Sequence, residues 1–467
     1  MPNFFAYLVI CFWPLFVIFL IRRYGHGIGS FLSYLLAYMF LPASFAINLP
    51  GVPALDKFTI TSITIILYFL VSGKRIGFQH LTKPMMVVFF SFMAAPFLTS
   101  LTNKSPYLFM PGLSLYDGLS QSITGFLYFF PFFIGISFFR DEMNQIKLFQ
   151  YLSIAAFFYA FLALYEIRMS PQLHVDLYGY FPHSFLQQYR EGGFRAVLFM
   201  GHGLLVAMFL ALGFGTMGIL RKAKIRIFNF STNFAIALLF ITLILSKSYA
   251  SFVFALFVYL SIHFINTKWI HRASAMIAIM FITYPFLSTV NLFPHNGIVK
   301  FSEYFSEERA QSLDFRFKNE QALLAHANEK SWFGWGGWGR NRIYDEESGK
   351  DISVTDGTWI ITLGTYGWLG FLSRFLFIVV PLLYAYREQR RIQNITEQEK
   401  LLLAGHSLLV SIILLDQIPN SSLNSLYWLI IGSLFGRVQS LSQRSKSFDL
   451  TVKKTNFVDT KSKKYIN

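Results

Sequence analysis

Residues 305–368 read FSEERAQSLDFRFKNEQALLAHANEKSWFGWGGWGRNRIYDEESGKDISVTDGTWIITLGTYGW, and they make up most of the one long polar interval, 291–367, in a chain otherwise built from apolar segments. Charge is costly inside lipid, and backbone outside a helix is tolerated there only where protein or a wet cavity surrounds it. An interval this polar between two apolar runs therefore belongs outside a bilayer, and the runs flanking it belong within one. Polar chemistry is to be sought in the interval.

Composition points the same way. Hydrophobic residues are 54% of the chain, charged residues 14%, and the mean hydropathy is +0.47. Apolar runs recur near 4–21, 31–47, 58–72, 84–101, 119–139, 148–167, 196–219, 230–246, 250–266, 274–290, 368–386, 401–415 and 424–437. Each is close to the length that spans a hydrocarbon core, which predicts an all-α, polytopic integral membrane protein of about 12 to 13 transmembrane helices. The chain divides into a transmembrane bundle over 1–290 with an outer loop at 168–195, a long outer loop at 291–367 holding a helix and a re-entrant segment, C-terminal transmembrane helices over 368–437, and a basic cytoplasmic tail at 438–467.

The net charge of +16 does not imply nucleic acid, because the basic residues follow the loops. Arg22 and Arg23, Lys74 to Lys83, Arg140 and Lys147, Arg221 to Arg226, Lys268 and Arg272, Arg387 to Lys400, and the tail from Arg437 occupy alternate connections. Retention of Lys and Arg in the cytoplasm then places both long polar loops on the outer face. The tail, rich in lysine and poor in apolar residues, is expected to lack structure. With no Lys or Arg before Arg22, the first segment reads as a retained helix and not a cleaved signal. Cys11 is the sole cysteine, so neither a disulfide framework nor a thiolate metal site can form. There is no Walker or dinucleotide glycine pattern and no Asp-x-Asp motif, and the expectation is no cofactor and no metal. The acidic run Asp345, Glu346, Glu347 and Asp351 reads as a solvated turn.

Within the long loop, 306–330 has helical spacing, with Ala310, Leu313, Phe317, Leu324 and Ala327 on one stripe. Arg309 and Arg316 lie two turns apart on nearly the same polar face, where both guanidinium groups can meet one anion. The plainer alternative for Arg316 is a pair with Glu320 at i, i+4, worth a few tenths of a kcal/mol. Trp332 to Arg340 then mixes glycine with indole. Trp335 and Trp338 suit either headgroup anchors or a sugar-stacking surface. Beyond Val354 the glycine-rich stretch through Gly364 and Gly367 predicts a short helix dipping into the outer membrane edge, with Asp356 at the mouth of any cavity. Asp356 is equally suited to cap that helix. Arg374, about two turns into the next crossing, should face a wet cavity or a partner, or snorkel outward.

The arrangement resembles the O-antigen ligase and polymerase superfamily, whose members join glycans carried on undecaprenyl diphosphate outside the inner membrane. The features that carry the resemblance are Gly193-Phe194-Arg195 ahead of Gly201-His202-Gly203, an Arg-bearing helix in a longer outer loop, a Phe-Gly-x-Gly stretch, and a polar residue entering a glycine-containing helix. They cover roughly 190–385 and form a loose pattern. The resemblance implies a GT-C-like membrane glycosyltransferase of the bacterial inner (cytoplasmic) membrane, metal-independent, with a periplasmic active site. Its partners would be undecaprenyl-diphosphate-linked oligosaccharide, membrane lipids, a chain-length regulator and a flippase. Arg195 and Arg316 would hold the lipid diphosphate. Where ligases are expected to carry a His base, this chain has Asp356 in Thr-Asp-Gly-Thr, which favours a polymerase. A second departure is Ser246-Lys247-Ser248-Tyr249, where many members show Ser-Arg-Gly.

Independently of the family, sugar transfer from a polyprenyl diphosphate needs cations for the departing diphosphate and a base for the incoming hydroxyl. Arg195, Arg316 and Asp356 are the candidates for those roles, and Arg190, Arg309, Arg340, Trp335, Trp338, Arg374, His202 and His295 for substrate contacts. His183, His202 and His295 compete with Asp356 for the proton. The expected activity is glycan polymerisation during O-antigen or exopolysaccharide assembly. The rivals are an O-antigen ligase, which differs in its acceptor, and a flippase or transporter of lipid-linked oligosaccharide. A flippase needs its charges in a central cavity reached from both sides, not at one face.

Overall fold

A chain that must satisfy its backbone without water folds its apolar runs as helices, and it does so here. The computed structural model describes the protein apart from residues 191, 228, 230, 305, 306, 393, 394 and 463–467, and apart from the side chains at 308, 309 and 448–462. In chain order the elements are α1 (Phe4–Tyr24), α2 (His26–Phe40), α3 (Thr59–Val71), α4 (Lys83–Thr102), α5 (Leu115–Phe129), α6 (Pro131–Phe138), α7 (Glu142–Met169), α8 (Leu173–Tyr178), the two-residue strands β1 (Tyr189–Arg190) and β2 (Gly193–Phe194), α9 (Gly203–Lys222), α10 (Thr232–Leu245), α11 (Tyr249–Phe264), α12 (Thr267–Thr289), α13 (His295–Glu303), α14 (Glu307–Glu329), α15 (Thr358–Glu388), α16 (Glu397–Asp416) and α17 (Ser425–Ser462). Among the described residues, 8 helices are long and apolar enough to cross a membrane, with α5 and α6 taken as one run. The helices α3, α10 and α11 are apolar but shorter. The protein is therefore an all-α membrane protein, with one antiparallel β-hairpin among the described residues, Tyr189 opposite Phe194.

Several boundaries differ from those the sequence predicts: the crossing expected at 31–47 is α2, which ends at Phe40, and three further differences have a visible cause. The crossing expected to start at 196 begins at Gly203, because the buried Glu166 carboxylate accepts the N–H groups of Val197 and Leu198, each at 2.8 Å, and holds that stretch out of a helix. The crossing at 119–139 is split where Pro131 starts α6. The tail expected to lack structure from 438 continues as α17. Val438 and Leu441 are buried, Ser442 donates to Glu388 (2.8 Å), and Arg437 and Arg444 both bind Glu399. The tail lysines from Lys453 onward lie outside the described side chains.

At the centre of the bundle α6 and α17 meet backbone to backbone. A Cβ on Gly135 would lie 2.3 Å from the Leu429 carbonyl oxygen, and one on Gly432 would lie 2.2 Å from that of Phe132. Small residues allow such approach, and van der Waals contact is what holds helices together in lipid.

The predicted dip in the chain at 354–368 takes a definite form. Gly367 has φ 62° and ψ −164°, so α15 is two helices joined across a kink. A kink there frees the carbonyls of Gly364 and Thr365 and the N–H groups of Trp368 and Leu369. The tryptophan–glycine loop takes up all four. Trp335 N–H donates to Gly364 (2.8 Å), Gly336 N–H donates to Thr365 (2.9 Å), and Trp368 and Leu369 donate to Ser331 (2.7 Å) and Trp332 (3.2 Å). The long polar loop is thereby stitched into the membrane helix. A Cβ at Gly367 would sit 2.4 Å from the Trp332 carbonyl carbon. Gly367→Ala is thus expected to destabilise the protein by about 3 to 4 kcal/mol, read as a lowered unfolding midpoint in detergent. An unchanged midpoint would show that the seam yields freely.

Candidate active site

The helix expected at 306–330 is present as α14, and its apolar stripe is buried at Ala310, Leu324 and Ala327. On its other side Glu320 accepts the Tyr284 hydroxyl, Asn319 accepts the Val354 N–H (3.1 Å), and Arg316 Nε lies 3.6 Å from Asp356 Oδ2. Arg316 thus pairs across the fold with Asp356, while Glu320 is engaged by α12. Both members of the ion pair are about two-fifths exposed, at 40% and 42%. They line a small cavity of about 40 Å³ with Glu320, Gly357, Ile418 and Pro419.

Asp356 does not cap α15. The N-cap is Gly357, without a side-chain bond, and the first helical N–H, that of Thr358, donates to the Asn420 carbonyl (3.2 Å). The 417–424 loop that supplies this acceptor is itself fixed. Asn420 and Ser422 donate to the Asp416 carboxylate (2.7 and 2.5 Å), and Gln417 accepts from the Thr358 hydroxyl (2.7 Å). Its carbonyl at Ile418 comes so near Gly357 that a Cβ there would be 2.2 Å away. The loop therefore caps the helix and leaves the Asp356 carboxylate to Arg316. Sequence reasoning missed Asp416, Gln417 and Asn420, which carried no signal beyond being polar residues beside a crossing.

Burial raises the Glu320 carboxyl to about 7, an effect only partly offset by the Tyr284 hydroxyl. A folded-state value above the ordinary one means that the native state holds the proton more tightly, so stability falls as pH rises from about 4.5 through about 7. Wild type should lose thermal stability over that window, and Glu320→Gln should lose less. Parallel profiles for the two proteins would exclude Glu320 as the source.

Arg195 is placed elsewhere. The lining of the Arg316 cavity does not include it, so the two arginines expected on one diphosphate belong to separate clusters. Arg195 is buried, and donates to the Lys247 carbonyl at 2.5 Å. Lys247 Nζ in turn donates to the Arg190 carbonyl at 2.8 Å, so the Ser-Lys-Ser-Tyr turn braces the hairpin. Arg190 itself is exposed on β1. Beside them His183 and His202 stand edge to face, 4.8 Å between ring centres, on a cavity of about 730 Å³ that Asp56, Lys57 and Tyr128 also line. His202 caps α9 by accepting the Leu204 N–H (3.0 Å), and burial, helped by His183 and the nearby arginines, pushes it down to about 4. Lys57, not singled out in the sequence, is buried with Nζ 3.0 Å from the Phe199 carbonyl oxygen.

Other expected substrate contacts have structural partners. Arg340 is buried and donates to the carbonyls of Trp335 (3.1 Å), Pro111 (2.9 Å) and Ser105 (3.1 Å), which fixes two loops together. Trp335 is buried, stacks on His326 and donates to its carbonyl (2.8 Å), so it offers no open face to a sugar. Trp338 is exposed and reaches Asp117 (3.3 Å). His295 is buried against Phe293 and Phe317, which lowers its pKa and removes it from the Arg316 cavity. The Arg309 side chain lies outside the described residues. Arg374 lines a cavity, one of the placements open to a charge at that depth. The acidic run forms a turn in which Asp345 accepts from Ser348 and Asp351 from Arg342.

No protein-family model and no curated protein matches this sequence.

Proposed function

We propose that the protein is a membrane glycan polymerase, transferring a growing chain from undecaprenyl diphosphate to the end of another lipid-linked repeat unit at the periplasmic face of the inner membrane. The observation that carries this reading is the Arg316–Asp356 pair at 3.6 Å, beside a cavity and freed from any capping duty. In the reaction an acceptor hydroxyl attacks the anomeric carbon of the donor. A new carbon–oxygen bond forms there, the bond to the diphosphate breaks, and the diphosphate leaves with the electron pair. Arg316 stabilises that departing charge with paired planar donors, and Asp356 takes the hydroxyl proton. Arg195, buried in its own basic cluster and bonded to the Lys247 carbonyl, acts on the substrate only through the hairpin it holds.

Purified protein given lipid-linked repeat units alone should yield a ladder of longer glycans. A single addition that appears only with a second acceptor would make the protein a ligase, and relocation of the lipid without a new bond would make it a flippase. Because no Asp-x-Asp motif is present and arginine is available to neutralise charge, EDTA should leave the rate unchanged. Loss of turnover restored by magnesium or manganese would turn attention to Asp345 and Asp351 as ligands.

A further inference from the structure

Behind Asp356, a cavity of about 210 Å³ opens between α4, α5, α15 and α17. Thr358, two residues beyond Asp356, lines it, as does Ser421 of the loop that caps α15. Tyr128 also lines it, and the same ring borders the 730 Å³ cavity that holds His183 and His202. The space therefore borders the larger cavity at Tyr128 and comes within two residues of Asp356 along the chain.

Among the described residues its lining contains one cation, Arg374, and no Asp or Glu. Arg374 is half-buried on a membrane helix, with Nη1 3.0 Å from the Thr362 hydroxyl and its guanidinium 5.8 Å from the centre of the Phe92 ring. A hydroxyl and an aromatic face do not neutralise a cation, and a charge withdrawn from water is expensive until an anion meets it. The Asp56 carboxylate approaches from the far side of Tyr128 but is occupied there, accepting the Tyr128 hydroxyl and the N–H groups of Phe58 and Thr59. The lining also holds the amide of Gln121, the hydroxyl of Thr124 and the partly exposed ring of Tyr366. Hydroxyls and amides beside aromatic faces suit a sugar ring, which has polar edges and apolar faces. A diphosphate would need more than one cation to offset its charge, whereas one guanidinium matches one carboxylate in a planar, paired contact.

We infer that this cavity is a subsite for one carboxylate-bearing saccharide ring, a sugar of the uronic acid class, with its carboxylate on Arg374 and its ring against Tyr366. The inference takes polymerisation as its setting and assigns an acidic sugar to the repeat unit. Gly370 gives the Tyr366 side chain its position, since a Cβ there would lie 2.1 Å from that of Tyr366.

The test is saturation-transfer NMR on the purified full-length protein in detergent, with methyl glucuronide, methyl glucoside and inorganic pyrophosphate as probes. Methyl glucuronide should bind at least about tenfold more tightly than methyl glucoside, the effect of one charge-assisted contact. Arg374→Gln should abolish the preference, and Arg374→Lys, which keeps the charge, should retain part of it. Excess pyrophosphate should not displace the glucuronide. Equal binding of the two sugars, no binding of either, an unchanged preference in a folded Arg374→Gln protein, or displacement by excess pyrophosphate would each overturn the inference. Because binding is read without turnover, the two readings fail separately. Absence of a product ladder would remove polymerisation and leave this binding result standing, while loss of sugar preference would remove the subsite and leave the ladder.

Discussion

Asp356→Asn should leave the protein folded and able to hold its lipid-linked donor while lowering turnover about 100-fold or more, within the usual range for a lost general base. The expectation is sharp because the structural role that Asn would preserve is not the one Asp356 performs. Gly357 is the N-cap of α15 and the 417–424 loop supplies the capping acceptor, so the Asp356 carboxylate has Arg316 as its partner. Asn keeps the size and loses both the charge and the capacity to take a proton. An exposed ion pair contributes at most about 1 kcal/mol, so the unfolding midpoint should scarcely move. Near-normal turnover in Asp356→Asn, with His202→Ala or His183→Ala inactive, would move the base to the larger cavity and to the cluster around Arg195. Inactivity of His295→Ala would be a weaker result, since that ring is packed between Phe293 and Phe317 and its loss leaves a void.

Arg316→Lys should lower turnover about 30- to 100-fold with little change in stability, because Lys keeps a positive charge but loses the planar pair of donors. The measurement is turnover at saturating donor, where a defect confined to binding would vanish and a defect in stabilising the leaving diphosphate would persist. Full activity in Arg316→Lys would reduce the contact with Asp356 to a surface ion pair. Arg195→Lys is a less direct probe. Arg195 is buried and donates to the Lys247 carbonyl, so the substitution disturbs the hairpin turn as well as any ligand contact.

What was legible in the sequence follows from the range of the forces involved. Apolar runs of membrane length declare themselves locally, although among the described residues 8 helices, and not the expected 12 to 13, are long and apolar enough to cross a membrane; α14 begins and ends within a residue or so of its expected bounds. The break near Gly364 and Gly367 was also legible, since glycine clusters disfavour a continuous helix. Its partner was not, because the hydrogen bonds that satisfy the break come from Ser331, Trp332, Trp335 and Gly336 in a distant loop. Arg340 and Arg316 look alike in sequence, each a guanidinium beside glycine or aromatic residues in the same loop. Only the fold distinguishes the one that binds three carbonyls from the one that reaches a carboxylate at a cavity. Nothing local to Glu166 reveals that it holds Val197 and Leu198 out of a helix. Asp56 and Lys57 sit in a short connection whose chemistry depends on Tyr128 and Phe199, far along the chain.

The central claim is that the protein makes a glycosidic bond at the expense of a lipid diphosphate linkage, and stoichiometry tests it most directly. Purified protein would be incubated with repeat units on undecaprenyl diphosphate, and the released lipid diphosphate and new glycosidic bonds would be counted in the same samples over time. The account predicts one undecaprenyl diphosphate freed for each bond formed, with both rates falling together in Asp356→Asn. Lipid-linked oligosaccharide that crosses the membrane intact, with no diphosphate released and no bond made, would contradict it.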